Sequence, residues 1–207
     1  MNYQRSFNHV GLTVPDIYAA LDWYVEVLGF VHLMGPRVLS AGDKNDTRAA
    51  IIMGPQFKKA YQAQLLSANG VGLELFQYVD PVVERYAPDQ NMRYWEQGYW
   101  HICYTDPNIE EVLARIVTTG GRQRSPIFQM VPNLPYRLAY AEDPFGNVLE
   151  ICTHSYAEAW SHWPQRGMTW DIPVLYRDGS EGPLTDEFLR QTGSRPLPAL
   201  DPSGEPR

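Results

Sequence analysis

The sequence predicts an α+β fold in which one β-α-β-β-β module is used twice. Three observations predict it. HVGLTVPDI (9–17) falls on HICYTDPNI (101–109) when His9 is aligned with His101, and self-similarity of this kind decides a fold before any local reading does. Each copy runs into an amphipathic stretch that stops at glycine. Each half then closes on a strand bearing one glutamate, Glu74 in GVGLELFQY and Glu150 in GNVLEICTH.

The elements follow in order. In DIYAALDWYVEVLGF, Ile17, Leu21, Tyr24 (or Val25) and Leu28 recur at helical spacing, and Gly29 supplies the stop. Asp16 is the expected N-cap. In NIEEVLARIVTTGG, Ile109, Val112 (or Leu113) and Ile116 recur likewise before Gly120 and Gly121, with Asp106 as expected N-cap and Pro107 next to it. The strand-like pieces of the first half are FVHLMG, AYQAQLLS and VGLELFQY; those of the second are SPIFQMV, YRLAYAE and NVLEICTH. SANG (67–70) and EDPFGN (142–147) read as hairpin turns, because Pro presets φ and Gly supplies positive φ. The expected organisation is a first module over 1–78 with an insertion at about 35–59 that holds a short helix in DTRAAIIMG. A linker over 79–97, a second module over 98–155 and a Trp/Pro-rich extension over 156–207 complete it.

With 207 residues, 44% of them hydrophobic, the chain can bury a sizeable core. A formal net charge of −7 and the lack of any Lys/Arg run argue against nucleic acid or an anionic membrane as partner. No apolar stretch reaches the roughly 18 residues that span a bilayer. MNYQRSFNHV lacks the apolar region of a signal peptide, and Cys103 and Cys152 make no disulfide framework. A cytoplasmic, reduced setting is expected.

His9, Glu74, His101 and Glu150 stand in repeat-equivalent places and form a symmetric set of four candidate metal ligands. Imidazole with carboxylate suits Zn²⁺, Ni²⁺, Co²⁺, Mn²⁺ or Fe²⁺. Strand alternation places His9 with Phe7, Gly11 and Thr13, and Glu74 with Gly72, Phe76 and Tyr78. It places His101 with Tyr99 and Cys103, and Glu150 with Val148, Cys152 and His154. One shared ion explains four such residues better than four separate structural roles, although a lone strand histidine is more often structural. Cys103 and Cys152 read first as small core residues, with the pocket wall as the alternative. Phe76, Tyr78 and Tyr99 read as core filling or as an aromatic pocket lining. His154 lies roughly 13 Å along the strand from Glu150, too far to share the ion. His32 and His162 carry no signal.

These residues resemble the vicinal oxygen chelate superfamily, which includes glyoxalase I, methylmalonyl-CoA epimerase, extradiol dioxygenases, fosfomycin-resistance enzymes and bleomycin-binding proteins. The resemblance covers about residues 6–155 and rests on HVGLTVPDI with LGF, GLELFQY, WHICYTDPNIEE and above all DPFGNVLEI. It implies sheets curled into a cup around a divalent metal, and chelation of a small-molecule substrate through neighbouring oxygens. The His, Glu, His, Glu pattern is similar to that of glyoxalase I-like lyases. An extradiol dioxygenase would use His9, His101 and Glu150 and no ligand at 74, and a bleomycin-type binder typically lacks the set. The chain shows no clear counterpart of the residues by which glyoxalase I recognises glutathione.

The function implied by the resemblance is a metal-dependent lyase or isomerase that abstracts a proton next to a chelated carbonyl. Glu150 would be the base and Glu74 the second proton carrier, with His9 and His101 remaining bound. A ring-cleaving Fe(II) dioxygenase and a non-catalytic small-molecule binder are the alternatives. A homodimer is expected, because in this superfamily the cup is completed within one chain or between two. Trp160, Trp163 and Trp170 in the extension are expected to dock on the modules, cover the cup or pack on a second subunit, and RPLPALDPSGEPR to be extended.

Overall fold

Asp16 starts the first helix as its side chain predicts: Oδ1 accepts from the backbone N–H groups of Tyr18 and Ala19, at 3.1 and 3.0 Å. In the computed structural model, which describes residues 5–44, 47–87, 89–131, 134–160 and 173–192, that helix is α1 (Ile17–Leu28). It ends at Gly29, whose φ of 72° closes the last turn. Strand β1 (His9–Thr13) precedes it. After it come β2 (Val31–Ser40), the short helix α2 (Arg48–Met53), β3 (Lys59–Leu66) and β4 (Gly72–Asp80). Strand β2 therefore runs well into the stretch expected as an insertion, with register shifts against β3 between His32 and Met34 and between Met34 and Arg37.

The second module repeats the plan with β5 (Ile102–Thr105), α3 (Ile109–Thr118), β6 (Arg122–Gln123), β7 (Phe128–Gln129), β8 (Arg137–Glu142) and β9 (Val148–Cys152). Two expectations change here. The N-cap of α3 is Asn108, not Asp106. Asp106 Oδ1 instead accepts from Asn108 N at 2.8 Å, which holds a turn through Pro107 before the helix begins. The strand expected over SPIFQMV is reduced to the two residues of β7. Pro126 has no N–H to give a ladder, and Ser125 Oγ accepts from Tyr140 N at 2.9 Å in its place.

Both sheets are mixed. Their orders are β1-β4-β3-β2 and β5-β9-β8-β6, with β7 also on β8. In each, the first strand of the module is parallel to the last, and the hairpin is antiparallel. The hairpin turns close as expected: Gly70 N bonds Ser67 O at 3.0 Å, and Asp143 N bonds Asn147 O at 3.1 Å.

One face of each sheet packs on the helices. Leu65, Leu73 and Leu75 from the first, and Ala139, Leu149 and Ile151 from the second, share a single core with Ile17, Leu21 and Tyr24 of α1 and Ile109, Leu113 and Ile116 of α3. Each fully buried Leu or Ile contributes about 1.5–3 kcal/mol. Polar contacts tie the modules together: Trp23 Nε1 donates to Thr119 Oγ1 at 2.9 Å, and Tyr24 donates its hydroxyl to Asp143 Oδ2 at 2.7 Å. A satellite core of Leu39, Ala49, Phe57 and Ala60 lies under α2. The helices thus occupy one face of each sheet and leave the other free to carry a site.

The chain divides into a unit over 1–153, which holds both modules, and a unit over 154–207. The described part of the second unit holds α4 (Tyr156–Trp160), a two-stranded pairing of β10 (Val174–Leu175) with β11 (Glu181–Gly182), and α5 (Asp186–Thr192). Ser155 and Glu158 cap the start of α4 reciprocally. Trp160 is the last residue of α4, its ring 6.2 Å from that of Tyr156. His162, Trp163, Trp170 and the Pro-rich end lie outside the described residues. Among the described residues, no helix is long and apolar enough to cross a membrane.

Candidate metal centre

Register puts the four expected ligands on the faces that the helices leave free. In β4, Leu73 and Leu75 point into the core while Glu74 between them is half-buried on the other side. In β9, Leu149 and Ile151 flank Glu150 in the same way. Gly11 pairs with Glu74 and Cys103 with Glu150, so each histidine lies two residues before the partner of its glutamate and shares its face.

Each histidine meets its own glutamate. His9 Nε2 lies 3.7 Å from Glu74 Oε2, and His101 Nε2 lies 3.0 Å from Glu150 Oε2. Around the first pair, Asn8 Oδ1 lies 2.6 Å from His9 Nδ1, and Gln64 donates to Glu74 Oε1 at 3.2 Å. An acceptor at Nδ1 places the ring hydrogen there and leaves the Nε2 lone pair for a cation. Around the second pair, Trp100 lies edge-on to His101 with centroids 5.0 Å apart, and stacks on Tyr140 at 5.2 Å. Tyr140 is cross-strand to Glu150. Burial, then the charge and hydrogen bond of that carboxylate, push its hydroxyl up to about 12, so it stays a donor at neutral pH. His101 Nδ1 is buried and has no hydrogen-bond partner among the described residues.

The donor set fits a divalent cation. Two N or O ligands about 2.1 Å from one ion are about 3.0 Å apart at a right angle and about 3.4 Å apart at the tetrahedral angle. The His101–Glu150 spacing matches the first value, and the His9–Glu74 spacing is slightly wider than the second. The two pairs do not merge into one cluster within the chain. Among the described residues, the three-ligand group whose atoms all lie within 4.8 Å is instead Cys103, Glu150 and Cys152.

The cysteines depart from the core role expected first. Alternation sends Ile102 and Tyr104 inward, so Cys103 comes out on the face of Glu150, where it is exposed, and Cys152 is half-buried. Cys103 Sγ donates to Cys152 Sγ at 3.4 Å. That bond holds the Cys103 thiol above its usual range. Accepting it holds Cys152 below.

The expected aromatic lining is divided. Phe76 and Tyr78 stack on each other, 6.1 Å apart, and pack against the satellite core, with the Tyr78 hydroxyl 3.3 Å from Met53 Sδ. Tyr99 is fully exposed. It borders a cleft of about 390 Å³ whose wall includes Val10 to Thr13, Asn91, Trp100, His101 and Val148. Of the four expected ligands, only His101 reaches that cleft. Gln64, Trp100 and Tyr140 had not been singled out from the sequence. A hairpin register counted back from each turn places Gln64 opposite Glu74 and Tyr140 opposite Glu150.

Gly72 is the register partner of His9, and a Cβ there would meet His9 Cβ at 3.0 Å. Both atoms are fixed to backbone, so Gly72→Ala would push His9 and β1 by a few tenths of an ångström. We expect it to weaken metal affinity about tenfold with the secondary structure unchanged, as isothermal titration and circular dichroism would show. Unaltered affinity would mean that His9 is no ligand.

The comparisons with known proteins agree with this architecture. The family model described as "Glyoxalase/Bleomycin resistance protein/Dioxygenase superfamily" matches residues 6–151. A glyoxalase family protein from Bacillus cereus superposes with a TM-score of 0.59 at 19% identity, over 73% of this chain and 95% of its own. A glyoxylase/bleomycin resistance protein/dioxygenase domain from Frankia sp. EAN1pec superposes with a TM-score of 0.50 at 18% identity, over 72% and 92%. The fosfomycin resistance protein FosX from Mesorhizobium loti gives 0.47 at 16% identity, over 76% and 98%. None of the curated proteins matches the chain. The duplicated βαβββ modules and the match across both of them place this chain in the glyoxalase/bleomycin resistance protein/dioxygenase superfamily.

Proposed function

We propose that the protein is a divalent-metal-dependent lyase or isomerase of the glyoxalase I kind, acting on a small oxygenated substrate by proton abstraction next to a carbonyl. The observation that carries this reading is the pair of repeat-equivalent His–Glu contacts, each on the helix-free face of its sheet. Because the two pairs do not gather in one chain, we assign the site to a homodimer. His9 and Glu74 of one subunit would face the second-module pair of the other.

A divalent ion, when bound, supplies Lewis-acid polarisation of the carbonyl and lowers the cost of removing the neighbouring proton. The residues of the chain do the rest. Glu150 accepts the proton beside the cross-strand Tyr140, whose hydroxyl stays protonated. Glu74, steadied by Gln64, returns a proton from the opposite side. His9 and His101 hold position, His101 through the edge-on Trp100 and Tyr140 rings.

Elemental analysis of the purified protein, with wild type beside Glu74→Gln, tests the reading. About one Zn, Ni, Co or Mn per four-ligand set is expected, with the metal content falling in the variant. Iron retained regardless of Glu74 would point to ring cleavage of catechols. No metal under any loading condition would leave a binding protein.

A further inference from the structure

The second module holds a metal-ligand group that the first does not share. Cys103 is the cross-strand partner of Glu150 and Cys152 lies two residues past it on the same face, and the two sulfurs and a carboxylate oxygen lie within 4.8 Å of one another. The equivalent places beside Glu74 are Gly11 and Phe76, which offer no donor. Whatever the thiols do therefore belongs to the second module alone.

The sulfur spacing matches chelation. Two thiolates about 2.3 Å from one ion are about 3.3 Å apart at a right angle and about 3.8 Å apart at the tetrahedral angle. Cys103 Sγ and Cys152 Sγ are 3.4 Å apart, within that range. A disulfide needs about 2.05 Å, which these sulfurs do not approach. Both side chains keep access to solvent, one exposed and one half-buried, so an ion can enter and displaced protons can leave.

We propose that Cys103, Cys152 and Glu150 form a thiolate-containing site for a thiophilic divalent ion, of the class of Zn²⁺, within a single chain. Sulfur donors select such ions over Mn²⁺ or Mg²⁺. Each thiol gives its proton to solvent as its sulfur takes the ion, and three protein ligands leave a fourth position open. The inference shares Glu150 with the function proposed above but does not rest on it, since it requires neither His9, nor Glu74, nor a second subunit.

Cobalt(II) is the probe, because a cobalt–thiolate bond adds an intense near-ultraviolet charge-transfer band that nitrogen and oxygen ligands lack. The full chain, kept reduced and free of oxygen, is titrated with cobalt after its two thiols have been counted. The expected result is a band that saturates at one cobalt per chain and is displaced by Zn²⁺. Cys103→Ser and Cys152→Ser should each weaken it and lower zinc affinity at least tenfold, and the double variant should abolish it, while His9→Ala and Glu74→Gln leave it intact. Cobalt bound without the band overturns the inference. If that cobalt is lost in His9→Ala, the proposed function stands while the thiolate site falls. No cobalt bound, a band that survives in the double serine variant, or thiols missing under reductant would each overturn it as well. The wild-type band needs no variant to fold.

Discussion

Asp143→Ala is expected to destabilise the protein by about 3 kcal/mol or more, read as a lower urea midpoint. Asp143 is 1% exposed. Its Oδ1 accepts from the backbone N–H groups of Phe145 and Asn147, at 2.9 and 2.8 Å, and its Oδ2 accepts from Asn147 Nδ2 and the Tyr24 hydroxyl, at 2.8 and 2.7 Å. Alanine would leave several of these donors without a partner in or near the core. It would also cut the link from α1 to the turn that launches the Glu150 strand. Tyr24→Phe removes one of the four bonds and should cost about 1–2 kcal/mol.

The same carboxylate has a pH signature. Burial raises its pKa above the usual Asp value, despite hydrogen bonds that pull the other way. The folded state therefore holds the proton more tightly than the unfolded chain. Its contribution is full below the unfolded pKa and declines as pH rises through the folded one. A wild-type stability that shows no such decline relative to Asp143→Asn would contradict this assignment.

Glu150→Ala is expected to weaken metal binding by about 100-fold or more, measured by competition with a chelating dye. Glu150 is shared by the proposed histidine–glutamate set and the proposed thiolate group, so its loss would remove a ligand from each. It is 13% exposed at the side chain, and alanine leaves the strand pairing and the core residues Leu149 and Ile151 untouched. The effect should therefore appear without loss of stability. Unchanged metal content in Glu150→Ala would remove both assignments at once.

Much of this architecture is legible in the sequence. The period of α1, its Asp16 cap and its Gly29 stop come from local backbone chemistry, which a sequence displays directly. The cap of α3 is Asn108, which the repeat alignment sets on Asp16, while Asp106, whose side chain suits a cap or a turn equally, serves the turn through Pro107. The reduction of β7 was hidden. SPIFQMV has strand composition, but whether Ser125 replaces a ladder bond depends on what β8 presents to it.

At the candidate site, duplication marks the four proposed ligands: one His and one Glu recur at the same place in both modules. Their faces were not settled by parity, since LELFQ and VLEIC are apolar on both sides. Helix packing settled them, by taking Leu73, Leu75, Leu149 and Ile151 inward. The pairing of Cys103 with Cys152 was beyond reach of the sequence, because residues 49 positions apart become neighbours only through the β5–β9 register.

By itself, the sequence determined the duplicated module, its helices and turns, and the identity of the repeated His–Glu residues, since all of these are written in short-range periodicity and in self-similarity. The tertiary structure alone decided which His meets which Glu, that the two pairs stay apart within one chain, and that two thiols stand beside Glu150. Those are distances between strands, and they are set by the register and the shared helix core.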